Sequence, residues 1–278
     1  MNNPTRPIAR YHGGKFRLAP RIIEQMPRHK IYVEPFGGMA SVLMRKPRVF
    51  SEVVNDLDGQ VVNLYRVLRD PVASARLAEG LALTPFSREE YEAAYLICSD
   101  PVEMARRFLV RASMGHGSNA ATRKIRSGFR AKRAGAASPA CDFSNYPSQV
   151  ALFHARLQGV TIERKPALDI LERYDSPDTL FYLDPPYVTE TRTLNHTSYR
   201  HEFLDEDHEQ LAAALNDIQG MAIISGYRCD LYDQLFDGWM RIDMDTWADA
   251  SVQRVESLWF NPAASRRQNK QAVLPLTG

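Results

Sequence analysis

Short apolar runs alternate with amphipathic segments over the first quarter and the second half of the chain, and this alternation constrains the fold more than any other feature. The apolar runs are Ile31–Val33, Val49–Asn55, Val160–Glu163, Thr179–Leu183 and Met221–Ser225, with later ones near Met240 and at Ser257–Phe260. Segments with apolar residues at helical spacing lie between them, among them Gln60–Leu68 and Asp205–Ile218. Strands that alternate with helices predict right-handed βαβ units, so we expect an α/β sheet.

The alternation is interrupted between about Asp70 and Tyr146, where helical patterns dominate. Ser87–Ile97 and Pro101–Met114 have helical spacing, and a stretch rich in Gly, Ser, Ala and basic residues follows them. No part of this region has a convincing strand pattern. We therefore predict one α/β domain, formed by residues 1–69 and 148–278, with a helical insertion at residues 70–147 that contains a mobile basic loop.

The insertion contains the segment in which basic and acidic residues are most unevenly distributed. No acidic residue lies between Glu103 and Asp142, although the chain has 33 acidic residues and 35 Lys and Arg. Nine basic residues lie in that segment: Arg106, Arg107, Arg111, Arg123, Lys124, Arg126, Arg130, Lys132 and Arg133. A charge field this localised indicates either a polyanion-binding surface or a solvated loop without a ligand.

Composition and cysteine spacing exclude several classes of protein. The 278 residues are 44% hydrophobic and 24% charged, which is typical of globular domains and not of disordered or fibrous chains. No apolar stretch approaches the ~18 residues of a membrane span, and the first residues lack the apolar region of a secretory signal, so we expect a cytoplasmic protein. Cys98, Cys141 and Cys229 are isolated and no His-x-x-x-His pair occurs, so neither a disulfide framework nor a metal site is expected.

The strongest chemical signal is Asp184-Pro185-Pro186-Tyr187, directly after the apolar run Thr179–Leu183. Ligands of open α/β sheets bind outside the carboxyl ends of strands. Proline has no N–H, so the Pro185 carbonyl is free to accept a hydrogen bond beside the Asp184 carboxylate, and Tyr187 offers a flat ring for stacking. Two acceptors and a ring fit a planar base with an exocyclic amino group. The alternative is a strand-ending Pro-Pro turn with a solvent-facing aspartate.

A second motif, Glu34-Pro35-Phe36-Gly37-Gly38, follows the first apolar run and precedes a helical segment. Paired glycines permit a tight turn and a close approach of the backbone to a ligand. The motif has neither the spacing of a dinucleotide fingerprint nor the lysine of a P-loop, so an NAD or ATP site is poorly supported.

Two further motifs have both a binding and a structural interpretation. Asn55-Asp56 ends the second apolar run, where an acidic residue can accept from ribose hydroxyls or an adenine amino group; otherwise Asp56 or Asp58 caps the next helix. Near the N-terminus, a glycine pair separates an aromatic ring from a lysine, in Tyr11-His12-Gly13-Gly14-Lys15. That segment either closes over a small ligand that carries a carboxylate or forms a loop that leads into a helix.

In this order, YHGGK (11–15), YVEPFGGMASV (32–42), VVNDLDGQVVNLY (53–65) and LDPPY (183–187) resemble the Dam-type (D12 class) adenine-specific DNA N6-methyltransferases. The resemblance covers nearly the whole chain and is weakest in the basic insertion. The glycine that commonly ends the Phe-x-Gly-x-Gly turn of the family is Ala40 here. Residues 115–133 depart from the recognition hairpin of the GATC-methylating members and are closer to the phage-type relatives.

The resemblance implies a Rossmann-like, S-adenosylmethionine-dependent methyltransferase sheet with an inserted helical target-recognition domain. Residues 1–69 would be the cofactor-binding part and residues 148–278 the catalytic part. The cofactor candidates are Tyr11, Gly13, Gly14, Lys15, Glu34, Pro35, Phe36, Gly37, Gly38, Asp56 and Asp184. The catalytic candidates are Asp184, Pro185, Pro186 and Tyr187.

The implied reaction is direct transfer of a methyl group from S-adenosylmethionine to N6 of an adenine flipped out of double-stranded DNA, which leaves S-adenosylhomocysteine and needs no metal. Such a protein would work at the nucleoid of a bacterium or phage host, as a monomer or weak dimer. The DNA-binding candidates are Arg111, Asn119, Arg123, Lys124, Arg126, Arg130, Lys132 and Arg133, with Tyr199 in the segment after the catalytic motif.

Other chemistries could use a similar pocket. Methyltransferases of RNA or of protein glutamine usually have Asn where this chain has Asp184, and cytosine-N4 enzymes more often have Ser there. A non-catalytic DNA-binding regulator could also keep the fold, but the intact motifs argue against that interpretation.

Overall fold

The computed structural model describes residues 4–117, 126–131, 138–191, 203–248 and 252–273. In these residues one sheet contains the strands β1 (Ile31–Glu34), β2 (Ser51–Asn55), β3 (Val160–Glu163), β4 (Thr179–Leu183), β5 (Met221–Gly226), β6 (Met240–Ala248) and β7 (Val252–Phe260). The α-helices are α1 (Ala19–Glu24), α2 (Ser41–Arg45), α3 (Gly59–Arg69), α4 (Pro71–Ala82), α5 (Arg88–Ala93), α6 (Pro101–Met114), α7 (Pro139–Ser144), α8 (Val150–Leu157), α9 (Ala167–Tyr174), α10 (Asp205–Asp217), α11 (Asp230–Leu235) and α12 (Pro262–Val273). None of the described helices is long and apolar enough to cross a membrane.

The strand order is β3-β2-β1-β4-β5-β7-β6. Strands β1 to β5 pair with one another in parallel, whereas β7 runs antiparallel to both β5 and β6. Strands β2 and β3 extend the sheet on one side of β1, and β4 pairs with the other side. The order therefore reverses between β1 and β4, and a crevice at the carboxyl ends of these strands is where ligands of open α/β sheets bind.

The α/β fold expected from the sequence is confirmed, with small changes at the ends of elements. Strands β3 and β4 have the predicted bounds. Strand β2 begins at Ser51 and not at Val49, because its neighbour β1 begins opposite it, at Ile31. The helix predicted over Ser87–Ile97 is shorter: Ser87 caps α5, and beyond Ala93 the backbone tightens into hydrogen bonds between residues three apart.

Both faces of the sheet are buried, as shown by the alternation along β4. Leu180 and Tyr182 join one apolar cluster, together with residues of α1, α2 and α3. Phe181 and Leu183 join the other, together with residues of α9, α10 and α11. A strand covered on both faces reads as a continuous apolar run, which is why this strand was predictable from the sequence.

The described part of the region between residues 70 and 147 contains helices and no strand. Phe108 of α6 and Leu77 of α4 belong to the same buried cluster as Leu64 of α3 and Phe153 of α8. These helices are therefore packed onto the α/β part through a shared core. After α6, an isolated bridge pairs Gly115 with Phe129 and brings the chain back to the end of that helix.

A buried ion-pair triad fastens β2 to the helices around it. Glu52 of β2 accepts from Arg156 of α8 at 2.6 and 3.0 Å and from Lys46, which follows α2, at 2.9 Å. All three side chains are almost fully buried. Burial alone would raise the pKa of Glu52, but the two cations outweigh it and lower the pKa.

Replacing Glu52 with Ala should destabilise the protein by about 3–5 kcal/mol, because it leaves two buried cations without their carboxylate. Denaturant unfolding of the two proteins at neutral pH measures the difference. Lys30→Ala, which breaks an exposed pair with Asp178, should leave the unfolding free energy almost unchanged. Equal stability of Glu52→Ala and wild type would show that the triad contributes nothing net.

Candidate active site

A cavity of about 590 Å³ opens at the carboxyl ends of β1, β2 and β4. The structure brings all the cofactor candidates to its lining: Tyr11, Gly13, Gly14, Lys15, Glu34, Pro35, Phe36, Gly37, Gly38, Asp56 and Asp184. The volume lies in the range of small-molecule sites. The cavity is also lined by residues that the sequence analysis did not single out, among them Leu57, Leu168, Phe203 and Asp207.

The glycine turn after β1 is packed too tightly for side chains. A Cβ atom on Gly37 would lie 2.6 Å from Val54 Cγ2 and 2.8 Å from the Asn55 carbonyl oxygen. Gly38 has a φ of 51°, a conformation that favours glycine. Ala40, where the family commonly has glycine, keeps a left-handed φ of 47°, at a cost of about 1 kcal/mol. The turn therefore exposes backbone to the cavity in this chain as it would with a glycine at position 40.

Asp56 and Asp58 have separate tasks at the end of β2. Asp58 caps α3, because its Oδ1 accepts from the Gln60 N–H at 2.8 Å. The two oxygens of Asp56 accept from the Gly38 and Asp58 N–H groups, both at 2.8 Å. Burial raises the pKa of Asp56 to about 6, and these two hydrogen bonds limit the rise. Asp56 thus joins the strand end to the glycine turn and faces the cavity.

Glu34 is a buried carboxyl group in the wall of the cavity. Its Oε1 accepts from the Tyr32 hydroxyl at 2.8 Å and from the Leu43 N–H at 2.7 Å. Burial raises the pKa of Glu34 to about 7, against the two hydrogen bonds, which favour the ionised form. Near neutral pH this group is therefore partly protonated.

Four side chains from distant parts of the chain meet at one end of the cavity; we call them the Lys15 cluster, which comprises Lys15, Asp184, Tyr187 and Glu256. The Lys15 ammonium donates to Asp184 Oδ1 at 2.7 Å and to the Tyr187 hydroxyl at 2.5 Å, and lies 3.3 Å from Glu256 Oε1. The Tyr187 hydroxyl lies 3.2 and 3.3 Å from the two Glu256 oxygens. Ser225 of β5 also donates to Asp184 Oδ1, at 3.0 Å.

The charges in this cluster are strongly coupled. Burial alone would lower the pKa of Lys15, but the Asp184 and Glu256 carboxylates outweigh it and raise the pKa well above its usual value. Burial raises the pKa of Glu256, and the nearby Asp184 carboxylate adds to that rise while Lys15 opposes it. Lys15 is therefore a permanent cation with two carboxylate partners.

The catalytic candidates differ in their position relative to the cavity wall. Asp184 and Pro186 line the cavity. Tyr187 is buried behind that wall, with its hydroxyl in the Lys15 cluster and its ring 4.6 Å from the ring of Tyr227. Asp184 is not the solvent-facing residue of a simple turn, because Lys15 and Ser225 both hold its Oδ1.

The DNA-binding candidates divide into three groups. Arg111 is buried and donates to the Ala94 carbonyl and to Gln60 Oε1, so its guanidinium holds α6 against its neighbours. Arg126 is exposed, and its guanidinium lies 4.7 Å from the centre of the Tyr95 ring. Arg130 is half-buried, and its N–H bonds to the Met114 carbonyl. The remaining candidates lie outside the described residues: Asn119, Arg123, Lys124, Lys132, Arg133 and Tyr199.

The sequence analysis missed Glu256 and Ser225. Both lie in strands that lead to the cavity end of the sheet, and both are buried. Glu256 directly precedes the apolar run Ser257–Phe260, and this was a usable signal, because buried carboxylates need a partner. In the parts of the chain that the structure describes, no group of three or more His, Cys, Asp or Glu side chains is placed to hold a metal ion.

Comparison with known proteins defines the class to which this site belongs. Residues 11–247 match the model of the D12 class N6 adenine-specific DNA methyltransferases, and the chain belongs to that family. The protein is therefore an adenine-specific DNA methyltransferase.

Relatives named as DNA methyltransferases match most of the chain. The type II methyltransferase M.MjaIII of Methanocaldococcus jannaschii is 22% identical over 84% of this chain and 88% of its own length. The type II methyltransferase M1.LlaDCHI of Lactococcus lactis is 24% identical over 98% of this chain and 95% of its own. The DNA adenine methylase of Salmonella typhi is 24% identical over 70% of this chain and 69% of its own.

The raised pKa of Glu34 should make stability depend on pH. The pKa of Glu34 is about 7 in the folded protein and 4.5, the usual value, in the unfolded chain. Between these two pH values the folded state holds a proton that the unfolded chain has lost, so the stability falls as the pH rises. Glu34→Gln cannot ionise, so its stability relative to wild type should be greater at pH 8 than at pH 5 by about 1–3 kcal/mol.

Denaturant unfolding at both pH values measures this difference. Glu24→Gln, at an exposed position of α1, is the matched control and should follow wild type. A constant difference between Glu34→Gln and wild type would contradict the raised pKa.

Proposed function

We propose that the methyl donor of this protein is S-adenosylmethionine, and that the acceptor is N6 of an adenine flipped out of duplex DNA at a specific sequence. The observation that carries the proposal is the position of Asp184 at the strand-order reversal, in the wall of the cavity. Its Oδ1 is held by Lys15 and Ser225. In this proposal the other oxygen, Oδ2, accepts from the substrate.

The cavity suits this donor. The glycine turn lets backbone groups approach a ligand, and Asp56 offers a carboxylate to hydroxyl groups at the end of β2. Leu57 and Leu168 supply apolar surface for a planar base on the same side. When bound, S-adenosylmethionine supplies a methyl group activated by a positively charged sulfur. Tyr11, Lys15 and residues 34–38 complete the proposed donor site.

Asp184 and the Pro185 carbonyl would accept hydrogen bonds from the adenine amino group. The lone pair of that nitrogen is delocalised into the ring, and two acceptors localise it and aim it at the donor. The Asp184 carboxylate also stabilises the positive charge that develops on N6. The orientation of the two reactants and the fixed charges of the site account for the rate enhancement, as in other preorganised sites. A neutral Asn, as in the alternative amide methyltransferases, would stabilise that charge less.

A base inside a duplex cannot reach this cavity, so the adenine must be flipped out at a cost of a few kcal/mol. Tyr187 keeps 9% of its surface exposed, and we propose that this part contacts the flipped base. Its hydroxyl is fixed by Lys15 and Glu256, which sets the direction of the ring. Phosphate contacts from the basic insertion would offset the cost of flipping. The insertion, residues 70–147, is proposed as the target-recognition domain, and the protein would act at the nucleoid in the cytoplasm.

Arg126 and Arg130 are the described residues that we propose for DNA contact, and the candidates outside the described residues stay part of the same proposal. The Tyr95 ring supports the Arg126 guanidinium at the surface. Arg111 is not part of this proposal, because it is buried and donates to the Ala94 carbonyl and to Gln60 of α3.

Incubation with radiolabelled S-adenosylmethionine and duplex DNA, RNA or protein, followed by identification of the modified residue, tests the function. We expect label in N6-methyladenine of duplex DNA. Asp184→Ala should lower the single-turnover rate by about 10²-fold or more, whereas Asp233→Ala, at an exposed ion pair on α11, should not change it. Label in cytosine, RNA or a glutamine side chain would overturn the proposal, and no label at all would favour a non-catalytic DNA-binding protein.

Arg126→Ala should weaken DNA binding without affecting affinity for the donor. If Arg126 contacts a phosphate, affinity falls for every DNA sequence. The slope of log affinity against log salt concentration then becomes shallower by about one. If it contacts a base, discrimination at one position relaxes by about 1–3 kcal/mol. Fluorescence anisotropy at several salt concentrations, on the methylated site and a one-base variant, measures both.

Arg173→Ala is the matched control and should bind DNA as wild type does, since this exposed arginine on α9 lies outside the insertion and pairs with Glu163. Unchanged DNA affinity and sequence selectivity in Arg126→Ala would show that the DNA-binding surface does not include this part of the insertion.

A further inference from the structure

We propose that Glu256 is a positioning residue for methyl transfer, which shares the charge of Lys15 with Asp184 and so leaves the Asp184 carboxylate available to the adenine amino group. The inference rests on the proposed function and adds a residue to it. Glu256 lies on β7 and does not line the cavity, and it would act through Lys15 and Tyr187.

The geometry places Glu256 at the back of the Lys15 cluster. Lys15 is 4% exposed and Glu256 2%, so neither charge is screened by water. The ammonium lies between the two carboxylates, 2.7 Å from Asp184 and 3.3 Å from Glu256. It also donates to the Gly13 carbonyl at 3.2 Å and to the Tyr187 hydroxyl. All of its described partners are acceptors, and only Asp184 among the carboxylates reaches the cavity.

The charge balance explains why a second carboxylate is needed. With Lys15 and Asp184 alone, the cation would neutralise the carboxylate that has to stabilise positive charge on N6. A second carboxylate beside the same cation restores one negative charge to the cluster. Because charges interact strongly at low dielectric, this net negative charge raises the negative electrostatic potential at Asp184. Glu256 therefore supports the transition state without contact with the substrate.

Glu256 also fixes the orientation of the Tyr187 ring. The Tyr187 hydroxyl accepts from Lys15 and donates toward the two Glu256 oxygens, so both of its polar functions are satisfied inside the protein. This arrangement sets the ring direction before any substrate binds. Loss of the Glu256 charge would weaken both the charge balance and the orientation of the ring.

The largest charge effects on Glu256 come from Lys15 and Asp184. Tyr182 of β4 and Tyr232 of α11 are buried, and burial raises the pKa of each well above its usual value, so both stay neutral. Arg254, two residues earlier on β7, has its guanidinium 5.1 Å from the centre of the Tyr227 ring. The charges that decide the state of Glu256 are thus those of Lys15 and Asp184.

Single-turnover methylation by Glu256→Gln and Glu256→Asp tests the inference. Gln keeps the shape and removes the charge, and Asp keeps the charge and shortens the side chain. We expect Gln to lower the rate about tenfold or more, with affinity for S-adenosylhomocysteine and DNA within about threefold of wild type, and Asp to retain more of the rate than Gln. A purely structural role predicts the reverse order, because Gln has the same size as Glu.

A second measurement needs no donor. The pKa of Glu256 is raised in the folded protein, so wild type should lose stability as the pH rises above the unfolded value, and Glu256→Gln should lack that part of the loss. Glu52→Gln is the matched control: another buried glutamate, in the triad of β2, whose loss should lower the stability and leave the methylation rate unchanged.

An unchanged rate in folded Glu256→Gln, or a rate for Gln above that for Asp, would overturn the role of Glu256. Failure of wild type to methylate adenine would instead overturn the proposed function, so the two failures are distinguishable.

Discussion

The buried ammonium of Lys15 is the interaction on which the site depends. It joins the loop before α1 to the motif after β4 and to β7, three pieces that no stretch of local sequence brings together. Such a cation is stable in the interior only because carboxylates surround it. The same carboxylates then have fixed positions, because their hydrogen bonds to Lys15 leave them little freedom. The site is thus organised before a ligand binds, which is the condition for catalysis by orientation and fixed charge.

Much of the fold and of the cavity lining could be predicted from the sequence, and the reason is physical. Strands β3 and β4 are short apolar runs, and motifs at the ends of strands must meet at one edge of a sheet. The division of labour between Asp56 and Asp58 could not be predicted, since either spacing permits a helix cap. Arg111 was grouped with the DNA-binding residues by its charge, whereas its burial depends on the packing of α6. Glu256 was missed because its partners lie far away in the sequence.

The acids around the cavity have a cost for the free protein. Burial raises the pKa of Glu34 to about 7 and that of Asp56 to about 6, and it also raises the pKa of Glu256. A carboxyl group with a raised pKa reduces stability at neutral pH, so all three groups oppose folding at that pH. Glu34 and Asp56 also line the cavity. A ligand that donates hydrogen bonds to them returns part of that loss. Ligand binding is therefore coupled to folding stability.

The shared core between the helical region and α3 and α8 has a consequence for how target specificity can diverge among relatives. A swap of the whole region from residue 70 to 147 would cut through one buried cluster, which includes Leu64, Leu77 and Phe108, and would leave mismatched apolar surfaces on both sides. The bridge between Gly115 and Phe129 offers a shallower boundary, beyond the end of α6. For the target-recognition role proposed above, exchange by evolution or by grafting is therefore easier for the basic segment after Met114 than for the helices that precede it.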